Sequence, residues 1–381
     1  MANFKNLKDD ALTRQGLKET FLATIKEFGC RAENEQNPAI KQKLLEAATF
    51  MKMKLQHTYF VRSDGVEIFN KLKEAAAANP KGSCCIDSNL EPISSARAFY
   101  LAEKYMFQYN RALLWHDLGR IHDLGPNGSG TGKSHPVESE ILANEIYKRE
   151  SIKDDLTVLI IRNHGYSSNI QTITECRKRP EFLELTDEEQ EACIILSLMV
   201  RDADKLGNWK TFVKQGINRA VENNIKDKIL LCTVAPNYYE YTQVMAGKTI
   251  DYSKYMNFTG VQLAHIMWYS DFALAPTKEA ALGGGYIEGM IIYMNEVAQD
   301  DVCRSIFDTV TDTVVILSDY KLFLTRIYRI FQELQSRGWI AETAVFDTMA
   351  HITALHNRLD KPNFEKPRVY TNGLKRYVKN Y

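Results

Sequence analysis

The sequence predicts an all-α protein, and three observations carry that expectation. Apolar residues recur at helical spacing over long stretches, as with Leu44, Ala48, Met51 and Leu55. No segment shows the strict apolar–polar alternation of a half-buried strand. Helix-start chemistry is plainest in Ser134-His135-Pro136-Val137-Glu138. There Ser134 or His135 serves as the cap, Pro136 suits the first turn, and Glu138 and Glu140 favour the positive end of the helix dipole.

Taken in order, residues 1–28 and 38–56 read as helices, followed by one that begins near His57 and ends by Asn79-Pro80. Residues 81–93, punctuated by Gly82 and Pro92, read as a loop. A helix from about Ser94 to Arg120 follows, with a break expected around Tyr109-Asn110. Residues 125–134 (GPNGSGTGKS) form the plainest loop of the chain. Helices are expected over 136–149, 152–164, 187–207 and 258–272. The C-terminal stretch is again mostly helical, interrupted at Gly283-Gly284-Gly285. No internal repeat is present.

Composition narrows the function classes. A chain of 381 residues, 45% hydrophobic and 25% charged, buries a large core and is not a disordered segment. Lys+Arg and Asp+Glu both number 48, so no global charge draws the chain to nucleic acid or an anionic membrane. The seven cysteines (Cys30, Cys84, Cys85, Cys176, Cys193, Cys232 and Cys303) are odd in number and form no CxxC pair. That speaks against both a disulfide framework and a thiolate zinc site. Cys84-Cys85 reads as two ordinary thiols. The first residues, MANFKNLKDD, lack a basic stretch followed by an apolar one. The most apolar run, ACIILSLMV, is well short of the roughly 20 residues a spanning helix needs. The expectation is a cytoplasmic protein.

Chemistry concentrates in a few histidines and aspartates. His116 and Asp117 are adjacent in RALLWHDLGR, after an apolar helical segment. Asp204 stands in an otherwise oily helix, ILSLMVRDADKLGNW, where a carboxylate must be neutralised, paired or bound to a cation. His57 starts a helix in MKLQHTYFV, His135 opens one and His164 closes one in LIIRNHGY. Imidazole with carboxylate suits Zn²⁺, Mn²⁺ or Fe²⁺, with Ni²⁺ and Mg²⁺ further candidates. Six such ligands exceed what one catalytic cation accommodates. They suit a two-metal centre with a bridging carboxylate, which acidifies a water and clamps a phosphoryl group.

The ordered set His57, His116-Asp117, His135, His164 and Asp204 resembles the HD-domain metal-dependent phosphohydrolase superfamily. QHTYFV is similar to that family's first-helix signature and LLWHDLGR to its namesake motif. SHPVESEIL and IIRNHGY resemble its additional-histidine segments, and RDADKLGN its closing aspartate segment. The likeness spans roughly residues 50–275, and HIMWYSDFALAP resembles the last core helix of bacterial members. It implies an HD-domain helical bundle over 51–275 with an insert near 80–95. Helical extensions at 1–50 and 276–381 would flank it. It also implies that His57, His116, Asp117 and Asp204 are the basic ligand set, extended to a second metal by His135 and His164. Within RDADKLGN the family context favours Asp204 over Asp202.

The resemblance has departures. The interval from His57 to His116 is long, and an alternative puts Ser94 at the first histidine position, leaving the site one ligand short. Gly165 follows His164 where a second histidine stands in the cyclic-dinucleotide phosphodiesterases. Leu118-Gly119-Arg120 replaces the Glu-Asp pair of the guanosine-tetraphosphate hydrolases. The implied activity is hydrolysis of a small phosphorylated substrate, a nucleotide foremost, by metal-activated water held with Asp117. Arg120, one turn from His116, and Lys205, beside Asp204, are candidate phosphate contacts by helix geometry. Each has a plainer reading, a salt bridge for Arg120 and a solvent-facing side chain for Lys205. Two other functions remain open: a di-iron oxygenase on the same ligand set, and a helical binding or oligomerising module with a vestigial site. His122-Asp123 reads as local or pocket-lining, and His265, His351 and His356 as structural or exposed. NGSGTGKS at 127–134 nearly matches a phosphate-binding GxxxxGK[ST] loop, but no buried strand precedes it. It reads as a linker, with Lys133 as its one candidate phosphate contact.

Overall fold

The computed structural model describes residues 10–85, 92–124, 134–166, 168–222, 235–250, 258–299, 317–340 and positions 353 and 357. Among these the structure is helical throughout, with no strand; two isolated bridges, Ser83 to Ser94 and Cys85 to Leu274, are the whole of the β-pairing. The near-miss phosphate loop with Lys133, and His351 and His356, lie outside the described residues. No helix among the described residues is long and apolar enough to cross a membrane. The chain divides into two compact units: Met1–Asn208 with Phe272–Ala280, and Trp209–Asp271 with Ala281–Tyr381. The sequence had suggested divisions near 50 and 275.

The first unit opens with α1 (Ala11–Leu17), capped by the Asp10 carboxylate on Thr13 N at 2.7 Å. A π-turn (Lys18–Leu22) leads into α2 (Ala23–Asn34). The next helix, α3, runs unbroken over Pro38–Ala78. Asn37 caps it by accepting from Ala39 N and Ile40 N, and Pro38 sits in its first turn. His57 therefore lies mid-helix, not at a start, because nothing between Pro38 and Gly65 breaks a helix. Phe28, Ala32, Leu44, Ala47 and Ala48 pack α2 onto α3.

Beyond α3, Ser95 N donates to Gly82 O, Cys84 N to Ile93 O and Ala275 N to Cys84 O, so both ends of the predicted 81–93 loop are tied down. Two helices, α4 (Ser95–Lys104) and α5 (Met106–Trp115), occupy the predicted 94–120 stretch. The break falls at Tyr105 and not at Tyr109-Asn110. Tyr109 is buried and donates its hydroxyl to Gly65 O at 3.1 Å, which keeps it inside α5. A 3₁₀ turn (Leu118–Asp123) follows the His116-Asp117 pair.

The histidine-bearing helices come next: α6 (His135–Arg149) and α7 (Asp155–Asn163), the second capped by Asp154. Two short helices that the sequence reading missed, α8 (Asn169–Arg177) and α9 (Pro180–Leu183), lead into α10 (Asp187–Glu222), which outruns its predicted end at 207. Cys176 and Cys193 bring buried thiols within 3.5 Å of each other, and every cysteine among the described residues is free.

In the second unit the helices are α11 (Tyr238–Met245), α12 (Phe258–Ile266) with a 3₁₀ turn to Asp271, α14 (Tyr286–Gln299) and α15 (Leu317–Ser336). Between α12 and α14 in the chain comes α13 (Ala275–Gly284), whose residues through Ala280 belong to the first unit, and Gly285 at φ 61 separates it from α14, as the glycine run predicts. Val244, Leu263, Ile266, Met290, Ile291, Leu324, Ile327 and Phe331 form this unit's buried interior.

Candidate metal centre

Five separate segments of the first unit deliver the predicted ligands to one place. His57 comes from the middle of α3. His116 and Asp117 stand where α5 turns into the 3₁₀ segment, the one kind of position where adjacent side chains both reach a site. His135 is the first residue of α6, His164 caps the end of α7, and Asp204 lies within α10. These six side chains form two groups of three, His57–His116–Asp204 and Asp117–His135–His164. Within each group the nearest ligand atoms lie within 4.8 Å of one another, the spacing at which one ion binds all three.

The groups adjoin. His57 Nε2 donates to Asp204 Oδ1 at 2.9 Å, and His116 Nε2 is 3.6 Å from the same oxygen. Asp117 turns Oδ2 toward His116 Nε2 (3.7 Å) and His57 Nε2 (3.9 Å), and Oδ1 toward His135 Nε2 (3.5 Å). Its two oxygens thus face residues of both groups. The resemblance implied that Asp117 belongs with His57, His116 and Asp204; the geometry groups it with His135 and His164 while its second oxygen faces the others.

Local structure sets the tautomers. His116 Nδ1–H donates to Leu113 O at 2.9 Å and His164 Nδ1–H to Ile161 O at 2.5 Å. Each bond places the lone pair on Nε2, the nitrogen facing the site. His116 Nε2 is fully buried with no hydrogen-bond partner, a lone pair with nothing to accept. A cation satisfies it, so the residues present fit a metal. His135 Nε2 faces His164 Nε2 at 3.2 Å. His57 differs from its fellows, since its Nδ1 is buried without a partner.

Close packing holds the elements in register. A Cβ on Gly165 would collide with the Pro136 ring, so glycine after His164 lets α7 meet the start of α6 where His135 stands. Likewise a Cβ on Gly207 would strike Val61, one turn beyond the His57 and Asp204 contact. Ser139 ties α6 to the His116-Asp117 turn, donating to His116 O at 2.7 Å and accepting from Gly119 N at 2.8 Å.

The electrostatics favour ionised carboxylates and, except at His116, neutral imidazoles. Burial alone would raise Asp117, but Lys54, Arg120, His116 and His135 outweigh it and hold its carboxyl well below the usual range. Asp204 is likewise held well below against burial, by His116 and His57. Burial pushes His135 down to about 2 and His164 to about 4, helped by neighbouring positive groups, and lowers His57 as well. His116 moves up: burial opposes protonation, but Asp117 and Asp204 prevail.

The remaining predictions sort as follows. Arg120 lies at the site, its Nε on Asp117 Oδ1 at 3.1 Å and its Nη1 on Asp123 Oδ2 at 2.9 Å. Lys205 is buried, and its charge acts on Asp202. Asp202 accepts from Ala273 N, Leu274 N and the Thr277 hydroxyl, a tie between segments of the first unit and not a ligand. Ser94 caps α4 by accepting from Arg97 N at 3.2 Å and lies outside both groups, whereas His57 belongs to one of them. Arg201, three residues before Asp204 on α10, reaches Tyr166 O and Asn169 Oδ1. His122 is 3.7 Å from Glu138, outside both groups. His265 is buried in the second unit and pushed down to about 3 by that burial. Sequence reasoning missed Lys54, whose Nζ is 3.2 Å from Asp117 Oδ2; its position three residues before His57 on one helix face was the available signal.

Comparison with models of known protein families, with curated proteins and with solved structures returns no match for this chain.

Proposed function

We propose that this protein is a metal-dependent phosphohydrolase of the HD-domain type, acting on a nucleotide or another phosphate ester. The observation that carries the reading is the convergence of six residues, far apart in sequence, into two adjoining groups of two imidazoles and one carboxylate. The motif order His57, His116-Asp117, His135, His164 and Asp204 supports it independently. Divalent cations bound there supply Lewis-acid polarisation and an acidified water nucleophile. Asp117 orients the two groups relative to each other. Burial favours the neutral form of His57, His135 and His164, His164 keeps its Nε2 lone pair inward, and Arg120, still held by Asp123, presents donors at the rim. Exposure is one-sided: His116 and Asp117 side chains are at 0% and 2%, whereas His135, Asp204 and Arg120 are at 20%, 24% and 27%, so a substrate approaches across the latter.

A second reading, a di-iron oxygenase, is favoured by one feature: each group is a two-histidine, one-carboxylate set, the ligand pattern of non-haem iron enzymes. The deciding experiment is metal quantification on protein purified without oxygen, then turnover of nucleotides and phosphate esters with added Mn²⁺. Phosphate release dependent on Mn²⁺ supports the hydrolase. Two irons with oxygen-dependent turnover support the oxygenase, and a chain that takes up no divalent metal leaves only a vestigial site.

A further inference from the structure

We propose that Lys54 is the substrate's oxyanion anchor, the side chain that gives up Asp117 when cations load and then receives a phosphoryl oxygen. This deepens the function proposed above and rests on it. Lys54 lies three residues before His57 on α3, so both side chains leave the same helix face. Its ammonium contacts Asp117 Oδ2 at 3.2 Å. That same oxygen faces His116 and His57 at 3.7 and 3.9 Å, so a cation shared with those histidines draws on it. An ammonium and a divalent ion on one carboxylate oxygen repel strongly in a buried setting.

The two cationic side chains at Asp117 differ in what they keep. Arg120 holds Asp123 at 2.9 Å whatever becomes of Asp117. Lys54 has no second carboxylate among the described residues, and its side chain is only 18% exposed. Loading the site therefore leaves a largely buried ammonium with three donors and no acceptor, which is costly unless an anion arrives. Lys54, Arg120 and His135 all meet Asp117, and the last two, with Asp204, are the more exposed members of the site, across which the anion enters. A point charge from lysine beside the fork of an arginine is a suitable pair for a tetrahedral phosphoryl group.

The test uses the full chain loaded with Mn²⁺ and inorganic phosphate as the probe, comparing wild type, K54M and K54R by titration calorimetry of both metal and phosphate. In K54M phosphate affinity is expected to fall roughly 10- to 100-fold, and K54R largely restores it. Mn²⁺ affinity in K54M stays level or tightens, because a competing positive charge has gone. A K54M protein that binds phosphate as wild type does overturns the assignment. Loss of Mn²⁺ from K54M overturns it too, since Lys54 would then be a prop for Asp117. Wild-type protein that takes up Mn²⁺ but no phosphate sinks the hydrolase reading itself, and the role of Lys54 with it.

Discussion

Asp202 and Asp204 stand two residues apart on α10, yet the two sides of that helix are built for opposite ends. Asp202 is fully buried and meets two backbone amides and the Thr277 hydroxyl. Burial lifts its carboxyl above the ordinary value even so. Asp204 keeps 24% of its side chain exposed and faces imidazoles, which hold it well below the ordinary value. On the Asp202 side three donors, Ala273 N, Leu274 N and the Thr277 hydroxyl, find their acceptor. On the Asp204 side the buried His116 Nε2 finds none. A satisfied buried carboxylate ties segments together, whereas an unsatisfied buried nitrogen among converging imidazoles and carboxylates suits something that arrives from outside.

Substitutions should split along that line. Replacing Asp204 with alanine removes a ligand, so metal at the His57–His116 group and turnover are both expected to fall to background. That exceeds the roughly 10- to 100-fold lost with outer partners of a site. Circular dichroism should show the fold retained; a variant that keeps its metal would erase the distinction.

Acid acts on the ligand side next. His164 and His135 are held at about 4 and about 2 in the folded chain against an ordinary 6.5. Below 6.5 the unfolded chain therefore takes up protons that the folded chain refuses, and stability is lost as pH falls. The loss runs to about 4 for His164 and on toward 2 for His135, at about 1.4 kcal/mol per pH unit for each. His116, raised when folded, works in the opposite sense: its contribution is present at low pH and lost as pH rises through the folded value. Asp117 and Asp204 add stability that disappears only below the ordinary carboxylate range. Urea unfolding of chelator-treated protein should thus weaken between pH 6.5 and 4, and a flat profile would contradict the burial of these imidazoles.

Asp202→Ala provides the converse. It orphans two amides and a hydroxyl, so a loss of about 2–4 kcal/mol in denaturant is expected. Metal stoichiometry of the folded fraction should be unchanged. Gly165→Ala tests the packing between the histidine helices. The added methyl meets Pro136, and a cost of about 1–3 kcal/mol with weakened binding at the Asp117–His135–His164 group should follow. The smallest effect belongs to Ser94→Ala, a lost cap worth about 1 kcal/mol with metal binding intact. Metal loss there would reopen the choice between Ser94 and His57.

The candidate site was legible because its residues are conspicuous where they stand. A carboxylate amid ILSLMV and a histidine ending an apolar helix have few bland explanations, and all six predicted ligands do meet in space. The all-α class followed from helical spacing, and the glycine run at 283–285 fell where two helices part. Long-range pairing was not legible. Nothing local says that Asp117 should turn one oxygen to His135 and the other to His116, or that Lys54 reaches across 63 residues to it. The helix break moved from Tyr109 to Tyr105 because burial of Tyr109 against Gly65 is a tertiary fact. The short helices at 169–177 and 180–183 lack a strong apolar stripe, so periodicity passed over them. Gly165, a departure from the family pattern on paper, finds its reason only in the Pro136 ring behind it.

The most direct measurement is metal stoichiometry, by elemental analysis after loading with Mn²⁺ or Fe²⁺ and removal of free ion. Two ions per chain are expected in wild type and one when His135 and His164 are both replaced by alanine. A wild-type chain that retains none, or a double variant that still retains two, would contradict the account.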